Sequence, residues 1–463
     1  MISPDTQWPM VGTCESYEDT QTIRRFVRSA LDLVGPALAD LRPDGRPPLV
    51  VLKPNWVAPG HRQDPELWEP VITHPELVLA VAAEVAGRLQ GGGTICICDA
   101  PDTGADFAAL TARGDLEARL KCLREEHPGV ALELLDLRRE VWTYKDRIIV
   151  SRRSNPEDPR GYVAVDLGRH SAFRGHPGQG RYYGADYDVA EVNRHHTGNT
   201  HEYLLAGTPM QCDLFINLPK LKTHQKAGLT CAMKNLVGIN GDKNWLPHYT
   251  RGWPTCGGDE YPDGRLHFRI ESSLKRLARS AAVHGGVVGQ LAARLGKRLA
   301  LRALGESDIV PRTGGWEGND TLWRMVLDLN RAFLYADATG EMHEVIQRRY
   351  LSIVDGITAG EGNGPLFPSA VALGVLVAST NPAHTDAVAC SLMGLDPWAL
   401  PYLRWAFAEH RWPVASCAGT DLQALDLRYD ANVPMGELRL PPGTPCRPPD
   451  SWPSLVRQDG SDL

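Results

Sequence analysis

Between Lys220 and Lys243 the chain concentrates side chains that could do chemistry. The stretch KLKTHQKAGLTCAMKNLVGINGDK holds five of the ten lysines. Elsewhere the basic residue is arginine, 39 against 10 lysines, yet no arginine occurs between Arg194 and Arg251. A guanidinium stays charged at working pH, whereas a lysine amine is compact, loses its proton readily on burial and can act as base or nucleophile. The switch points to a site that needs the ammonium itself. Histidine follows the same trend, with eight of fifteen lying between His170 and His267. His224 and Lys234 form the sharpest pair. They would supply a general acid/base group and an amine able to bond covalently or to stabilise charge. Lys220 and Lys222 alternate after an apolar run and could grip a carboxylate or phosphate, or form an ordinary strand end. Asn235 adjoins Lys234 as a further binding candidate, and Lys226 reads as surface.

Other candidates lie outside this segment. Lys53 and Asn55 close the run LVVLKPN, where polar residues at a strand end suit ligand contact; a turn would use the same residues. His74 precedes Pro75 at a helix start, a place that attracts anions and equally one that needs a cap. Glu361 sits in the glycine-rich DGITAGEGNGP, where backbone can approach a ligand and a carboxylate could serve as acid or base. His195, His196 and His201 in HHTGNTHE lack the tight ligand spacing of a zinc site and read as a polar loop lining the cleft, with His201 touching substrate. His248 in NWLPHY is the one candidate metal ligand. Cys231 lies inside the lysine segment, whereas the other cysteines are scattered.

The elements that must position these residues follow an α/β pattern. Apolar runs at 49–57, 94–98, 131–137, 162–168, 212–220, 351–357 and 370–379 read as strands. Amphipathic stretches at 74–90, 321–337 and 383–394 read as helices. The spacing predicts a mostly parallel sheet core with helical insertions, and ligands in such folds sit beyond the carboxyl ends of strands. Polar clusters follow several of those ends: Lys53-Pro54-Asn55, Asp99, Asn217-Leu218-Pro219-Lys220 and Asp355. The expected organisation is a helical lead-in at 1–47, a core at 48–263 carrying the Lys/His segment, a helical insertion at 264–345, core completion at 346–433 and a proline-rich tail at 434–463. Residues 270–304 are arginine-rich and amphipathic, which fits a solvated insertion and also a membrane-surface or acidic-partner face.

Bulk composition narrows the function classes. A net charge of −7 and a pI near 6.1 argue against a nucleic-acid binder. No leader pattern or membrane-length apolar run is found, so the expected compartment is the cytoplasm. Ten cysteines without a Cys-x-x-Cys pair argue against an iron–sulfur cluster.

The motifs KPNWV, ITHPELV, INLPKLKTH, MKNLVGI, VDGITAGEGNGP and NPAHTDAVACSLMGLDP, in that order, resemble the family catalogued as domain of unknown function 362. With YVAVDLGRHSAF, HHTGNTHEYLL, GDKNWLPHY and WRMVLDLNR, the chain looks like a longer branch found with polysaccharide or natural-product genes. Some members of the family carry a ferredoxin-like cysteine module, which this sequence lacks. A second similarity is to the nickel-pincer lactate racemase family. THQKAGLTCAMK sets Lys234 ten residues after His224, with Ala227-Gly228 between them. That resemblance implies an acid/base role for His224, a pincer cofactor on Lys234 and nickel ligation by a downstream histidine, here His248. Cys231-Ala232 replaces the glycine pair of that family.

Together these readings point to an enzyme of small-molecule, sugar or natural-product metabolism. It would move a proton or hydride at a hydroxyl-bearing carbon, as an epimerase or racemase does. Its substrate would be anionic or polyhydroxylated, bound by Lys53, Asn55, His74, His201, Lys220, Lys222 and Asn235, with His224, Lys234 and Glu361 catalytic. The cofactor stays open between a nickel-pincer-like group and a divalent metal, and a homo-oligomer is open as well. The alternatives are a non-catalytic binder of an anionic glycan or biosynthetic intermediate, and a redox protein.

Overall fold

Six of the seven apolar runs pair into one eleven-stranded sheet, and the seventh, Tyr162–Asp166, joins a separate three-stranded sheet, in a computed structural model that describes residues 8–35, 38, 45–90, 92–145, 148–184, 188–284, 289 and 312–456. Its strands are β1 (Met10–Thr13), β2 (Leu49–Pro54), β3 (Gly93–Asp99), β4 (Val130–Asp136), β5 (Leu214–Leu218), β6 (Lys220–His224), β7 (Gly228–Thr230), β8 (Arg349–Asn363), β9 (Phe367–Ser379), β10 (Gln423–Asp426) and β11 (Ala431–Pro434). The spatial order is β11-β10-β1-β9-β8-β5-β2-β3-β4, with β6 beside β8 and β7 beside β6. From β8 through β5, β2 and β3 to β4 every pairing is parallel. β9 turns back antiparallel onto β8 and β1. The α/β expectation holds, as a mixed sheet with a parallel half.

Strand alternation divides the apolar residues between two cores, one on each face. Val51, Cys96, Cys98 and Phe215 enter one core, and Val50, Leu52, Ile95, Ile97 and Ile216 enter the other. The Cys-x-Cys pair thus fills one face of β3 as two small apolar side chains.

Helices α1 (Thr20–Asp32) and α2 (Pro75–Arg88) cover the second face. Asp19 caps α1 at Thr22 N, and His74 caps α2 by accepting from Glu76 N. On the first face lie α4 (Leu322–Tyr335) and α5 (Pro382–Leu392), while α3 (Leu266–His284) precedes them in the chain. Every residue of α4 except Arg324 is buried, and Phe333 packs on Phe215 with ring centroids 4.5 Å apart. The second half of the stretch expected as an insertion is therefore core. So is part of the lead-in, since β1 pairs with β9 and β10. In the tail, Trp452 is buried and donates to Gln225 O at 2.7 Å, beside the turn after His224. Residues 285–288 and 290–311 of the basic stretch lie outside the described residues.

Candidate functional site

Polar residues converge where the parallel strands end. Lys53, on β2, pairs with Asp99 of β3 at 2.8 Å and donates to Pro54 O and to Asn235 Oδ1. Asp99 also accepts from Trp56 N at 2.7 Å. Gly238 lies against this pair so closely that a Cβ would strike both Asp99 Oδ1 and Lys53 Nζ, so only glycine lets the loop pass. Asn235 joins the neighbours: its amide donates to Asn217 Oδ1 at 2.7 Å and to Lys53 O, and its oxygen accepts from Asn55 Nδ2 at 2.9 Å. Asn55 Oδ1 is buried with no partner among the described residues.

The turn carrying Lys234 (Ala232–Asn235) is held from three elements. Asn217 of β5 donates to Ala232 O at 2.8 Å, Asn330 of α4 donates to Met233 O at 3.0 Å, and Asp386 of α5 accepts from Met233 N at 3.3 Å. Burial raises the Asp386 carboxyl to about 7. Lys234 itself keeps part of its surface accessible, and no hydrogen bond or ion pair engages its ammonium among the described residues. Burial, then Lys243, Lys226 and Lys53, bring its amine down to about 7.

His224 closes β6. Its Nδ1 accepts from the backbone N–H groups of Lys226 and Ala227 at 3.0 and 3.2 Å, so in the neutral ring the proton sits on Nε2. Burial, with Lys234, Lys226, Lys222 and His248 adding to it, holds this imidazole well below its ordinary range. His248 is set the other way. Its Nδ1 donates to Leu246 O at 2.9 Å, which leaves Nε2 as an acceptor. Burial, then Lys226 and Lys234, likewise keep it neutral. One accessible lysine thus influences two neutral imidazoles, one presenting a donor and the other an acceptor. Lys226, also partly accessible, lies 5.3 Å from the centroid of the Tyr249 ring. Gly228, at φ +78°, turns the chain from His224 into β7, where a Cβ would press on Leu400 and Trp452.

The other predicted residues have different surroundings. Lys220 is buried in a network: it pairs with Asp355 at 3.0 Å and donates to the Tyr17 hydroxyl at 2.8 Å. Tyr17 in turn donates to Asp355 at 2.6 Å, and His74 N donates to Asp355 at 2.8 Å. The His74 ring stacks on Tyr17 with centroids 3.6 Å apart. His74 therefore acts as a cap and stacking partner, with its helix-end N–H groups satisfied by the protein. Lys222 is buried and donates to Val71 O; burial, then Lys220 and Lys234, hold it well below the lysine range.

Two expectations need correction. His201 is not a loop residue: it lies on a strand (Thr200–Ala206), fully covered, its ring stacked over Phe173. Burial takes it down to about 4. Glu361 lies on β8 but faces the tail, accepting from Arg447 N at 2.8 Å, and the structure does not bring it to His224. Sequence reasoning passed over Tyr17 and Lys243. No local signal marked Tyr17, while Lys243 was visible only as the last lysine of the cluster.

Among the described residues, the group of three His, Cys, Asp or Glu donors within metal distance is Asp337, Glu341 and His343, in a turn after α4. His248 is not among them, so protein donors alone do not build a divalent-metal centre at the Lys/His site.

The profile described as domain of unknown function (DUF362) matches residues 50–391. The chain belongs to that family. Every strand from β2 to β9 lies within or overlaps the matched span, as do His224, Lys234 and His248. No curated protein matches this DUF362 chain. Solved structures resemble it distantly. A Thermotoga maritima protein from a structural genomics consortium aligns with a TM-score of 0.30 at 10% identity, over 76% of this chain and 54% of that one. The lactate racemase apoprotein of Thermoanaerobacterium thermosaccharolyticum aligns with a TM-score of 0.32 at 12% identity, over 85% of this chain and 59% of that one. The DUF362 chain spans little more than half the length of either. Among the described residues, no helix is long and apolar enough to cross a membrane.

Proposed function

We propose that this DUF362 chain is an enzyme performing acid/base chemistry of the racemase or epimerase kind at a hydroxyl-bearing carbon of a small anionic molecule. The observation that carries this reading is the pair of oppositely set neutral imidazoles beside Lys234. A two-base inversion of a carbon centre uses one group to take a proton and another to give one. His248 Nε2 is the acceptor and His224 Nε2–H the donor. Lys234, titrating near neutrality, binds an anionic group when protonated and can attack a carbonyl when neutral. Lys243, Lys226 and Lys53 act on Lys234 as neighbouring positive charges, which favours a carboxylate or phosphate on the substrate. Asn55, whose Oδ1 has no partner among the described residues, would orient a hydroxyl, and Asn235 would hold Asn55 and Lys53 in place. The longer branch's association with polysaccharide or natural-product genes makes a sugar acid the first substrate class to try.

The resemblance to the pincer family bears on the cofactor. Lys234 would hold such a group, and His248 Nε2, fixed as a lone pair by the Leu246 carbonyl, would ligate its nickel. When bound, the group would supply hydride-accepting chemistry, and His224 would then move the hydroxyl proton.

The test is isotope exchange. Protein prepared from its own source is incubated in D2O with a panel of hydroxy acids and sugar phosphates, and loss of the C–H signal is followed by NMR, with chiral analysis of the recovered substrate. Exchange or inversion that disappears in Lys234→Arg supports the reading. Tight retention of an anionic ligand with neither exchange nor inversion would establish the binding-protein alternative.

A further inference from the structure

Helix α3 is built inside out. A helix on a protein surface normally turns its apolar stripe inward and its charges to water. Here the inward face carries Phe268, Glu271, Ser272 and Lys275. Glu271 pairs with Lys275 at 3.2 Å and with Arg312 at 3.3 Å. Ser272 donates to Glu260 at 2.7 Å, and Lys275 also reaches Glu260 at 3.6 Å. The outward face carries Leu266, Ile270, Leu274 and Leu277, which are 72%, 48%, 45% and 63% exposed. At 100° per residue these four fall within about 80° of arc, one continuous aliphatic stripe. A polar network thus anchors the helix by the face that would ordinarily be wet.

Charge distinguishes among the surfaces that could cover this stripe. Glu271 is the only acidic residue of α3, and it is turned inward. Arg269 and Arg276 are exposed along one border of the stripe. Aliphatic side chains bordered by arginines, with no acid on the same face, complement anionic headgroups above an acyl boundary. A second copy of the chain would bring the same arginines to the contact with no carboxylate on this face to meet them. We infer that the outer face of α3 binds an anionic lipid surface, the helix lying in the headgroup plane with Leu266, Ile270, Leu274 and Leu277 inserted. The chain would then work at a membrane surface without spanning it.

Vesicle co-sedimentation of the full chain tests this. Vesicles of phosphatidylcholine alone are compared with vesicles containing phosphatidylglycerol, and two double variants are included, Leu274→Ser with Leu277→Ser and Arg269→Gln with Arg276→Gln. The expected result is sedimentation at least tenfold stronger with the anionic lipid, weakening in high salt. Each double variant should reduce it about tenfold or more, and the leucine variant should leave the melting temperature unchanged. Three results would overturn the inference. One is no sedimentation of wild type on either vesicle. Another is binding that survives both variants. The third is a concentration-dependent dimer, or a lowered melting temperature in the leucine variant, without vesicle binding, which would mean that a second copy or the chain itself covers the stripe.

Discussion

Lys220 and Lys234 are both drawn into the interior by the same segment, and their surroundings are opposite. Lys220 has a carboxylate at 3.0 Å and a phenol at 2.8 Å, and the carboxylate is itself bound by a backbone N–H. Its charge is answered on all sides. Lys234 has no carboxylate, no hydrogen bond among the described residues and three other lysines acting on it, yet it keeps an accessible surface. An isolated buried charge is costly unless it is paired or neutralised. Lys220 is paired within the fold, whereas Lys234 is not. The difference marks two kinds of lysine within one run, and the proposed function rests on the unpaired one.

The comparison breaks most visibly at Asp355. In Asp355→Ala the Lys220 ammonium stays buried with only Tyr17 to meet it, and His74 N loses its acceptor. Removing one partner of a buried pair costs about 3–5 kcal/mol. The urea midpoint should fall accordingly, while a Lys234→Met variant should be no less stable than wild type. A loss below about 1 kcal/mol in Asp355→Ala, the range of a surface pair, would remove the contrast.

The next effect is on turnover. His224→Gln keeps an amide near the Lys226 and Ala227 N–H groups but cannot exchange protons, so catalysis should slow by about 10²–10⁴-fold with binding little changed. His201→Gln disturbs the Phe173 stack and should lower stability while turnover of the folded protein persists. Equal kinetic effects from both would cancel the distinction between site and core histidines.

The third effect is on pH dependence. The folded Lys234 amine titrates near 7, below its unfolded value. Between about pH 7 and the ordinary lysine range of about 10.4 the unfolded chain therefore binds more protons, and stability rises with pH through that window. Lys234→Met should flatten that rise, with Lys220 and Lys222 supplying what remains. An anion that binds the charged amine should raise the melting temperature more at pH 6 than at pH 8.5. A flat phosphate response across this range, unchanged in the Met variant, would mean Lys234 meets no anion.

What the sequence made legible follows from range. LVVLK, TICIC and LFINL are continuous apolar runs whose strands could be read directly, and the clusters after them placed Lys53 and Lys220 at strand ends. Partners distant in sequence were illegible. Tyr17 and Asp355 are 338 residues apart, and nothing local tells a lysine that meets a carboxylate from one that does not. The imidazole tautomers were also out of reach, because they depend on which backbone groups each Nδ1 meets. Glu361 was overvalued because a glycine-rich loop signals close approach without saying what approaches. Here it is Arg447, from a tail that read as peripheral.

The smallest expected effect belongs to that residue. Glu361 is 23% exposed, accepts from Arg447 N at 2.8 Å and lies 3.9 Å from the Arg447 guanidinium. Glutamine keeps an oxygen for the backbone N–H and gives up only a long, partly solvated ion pair, the kind usually worth about 0–1 kcal/mol. Glu361→Gln should therefore leave the urea midpoint nearly unchanged and turnover within about threefold of wild type, far from the loss expected of an acid/base group. Measuring it beside His224→Gln sharpens the boundary of the site. Should Glu361→Gln slow catalysis as deeply as His224→Gln, the carboxylate must reach the reacting carbon in the working enzyme. The tail holding Arg447 would then have to release it, and the division between the lysine site and the β8–β9 hairpin would be wrong.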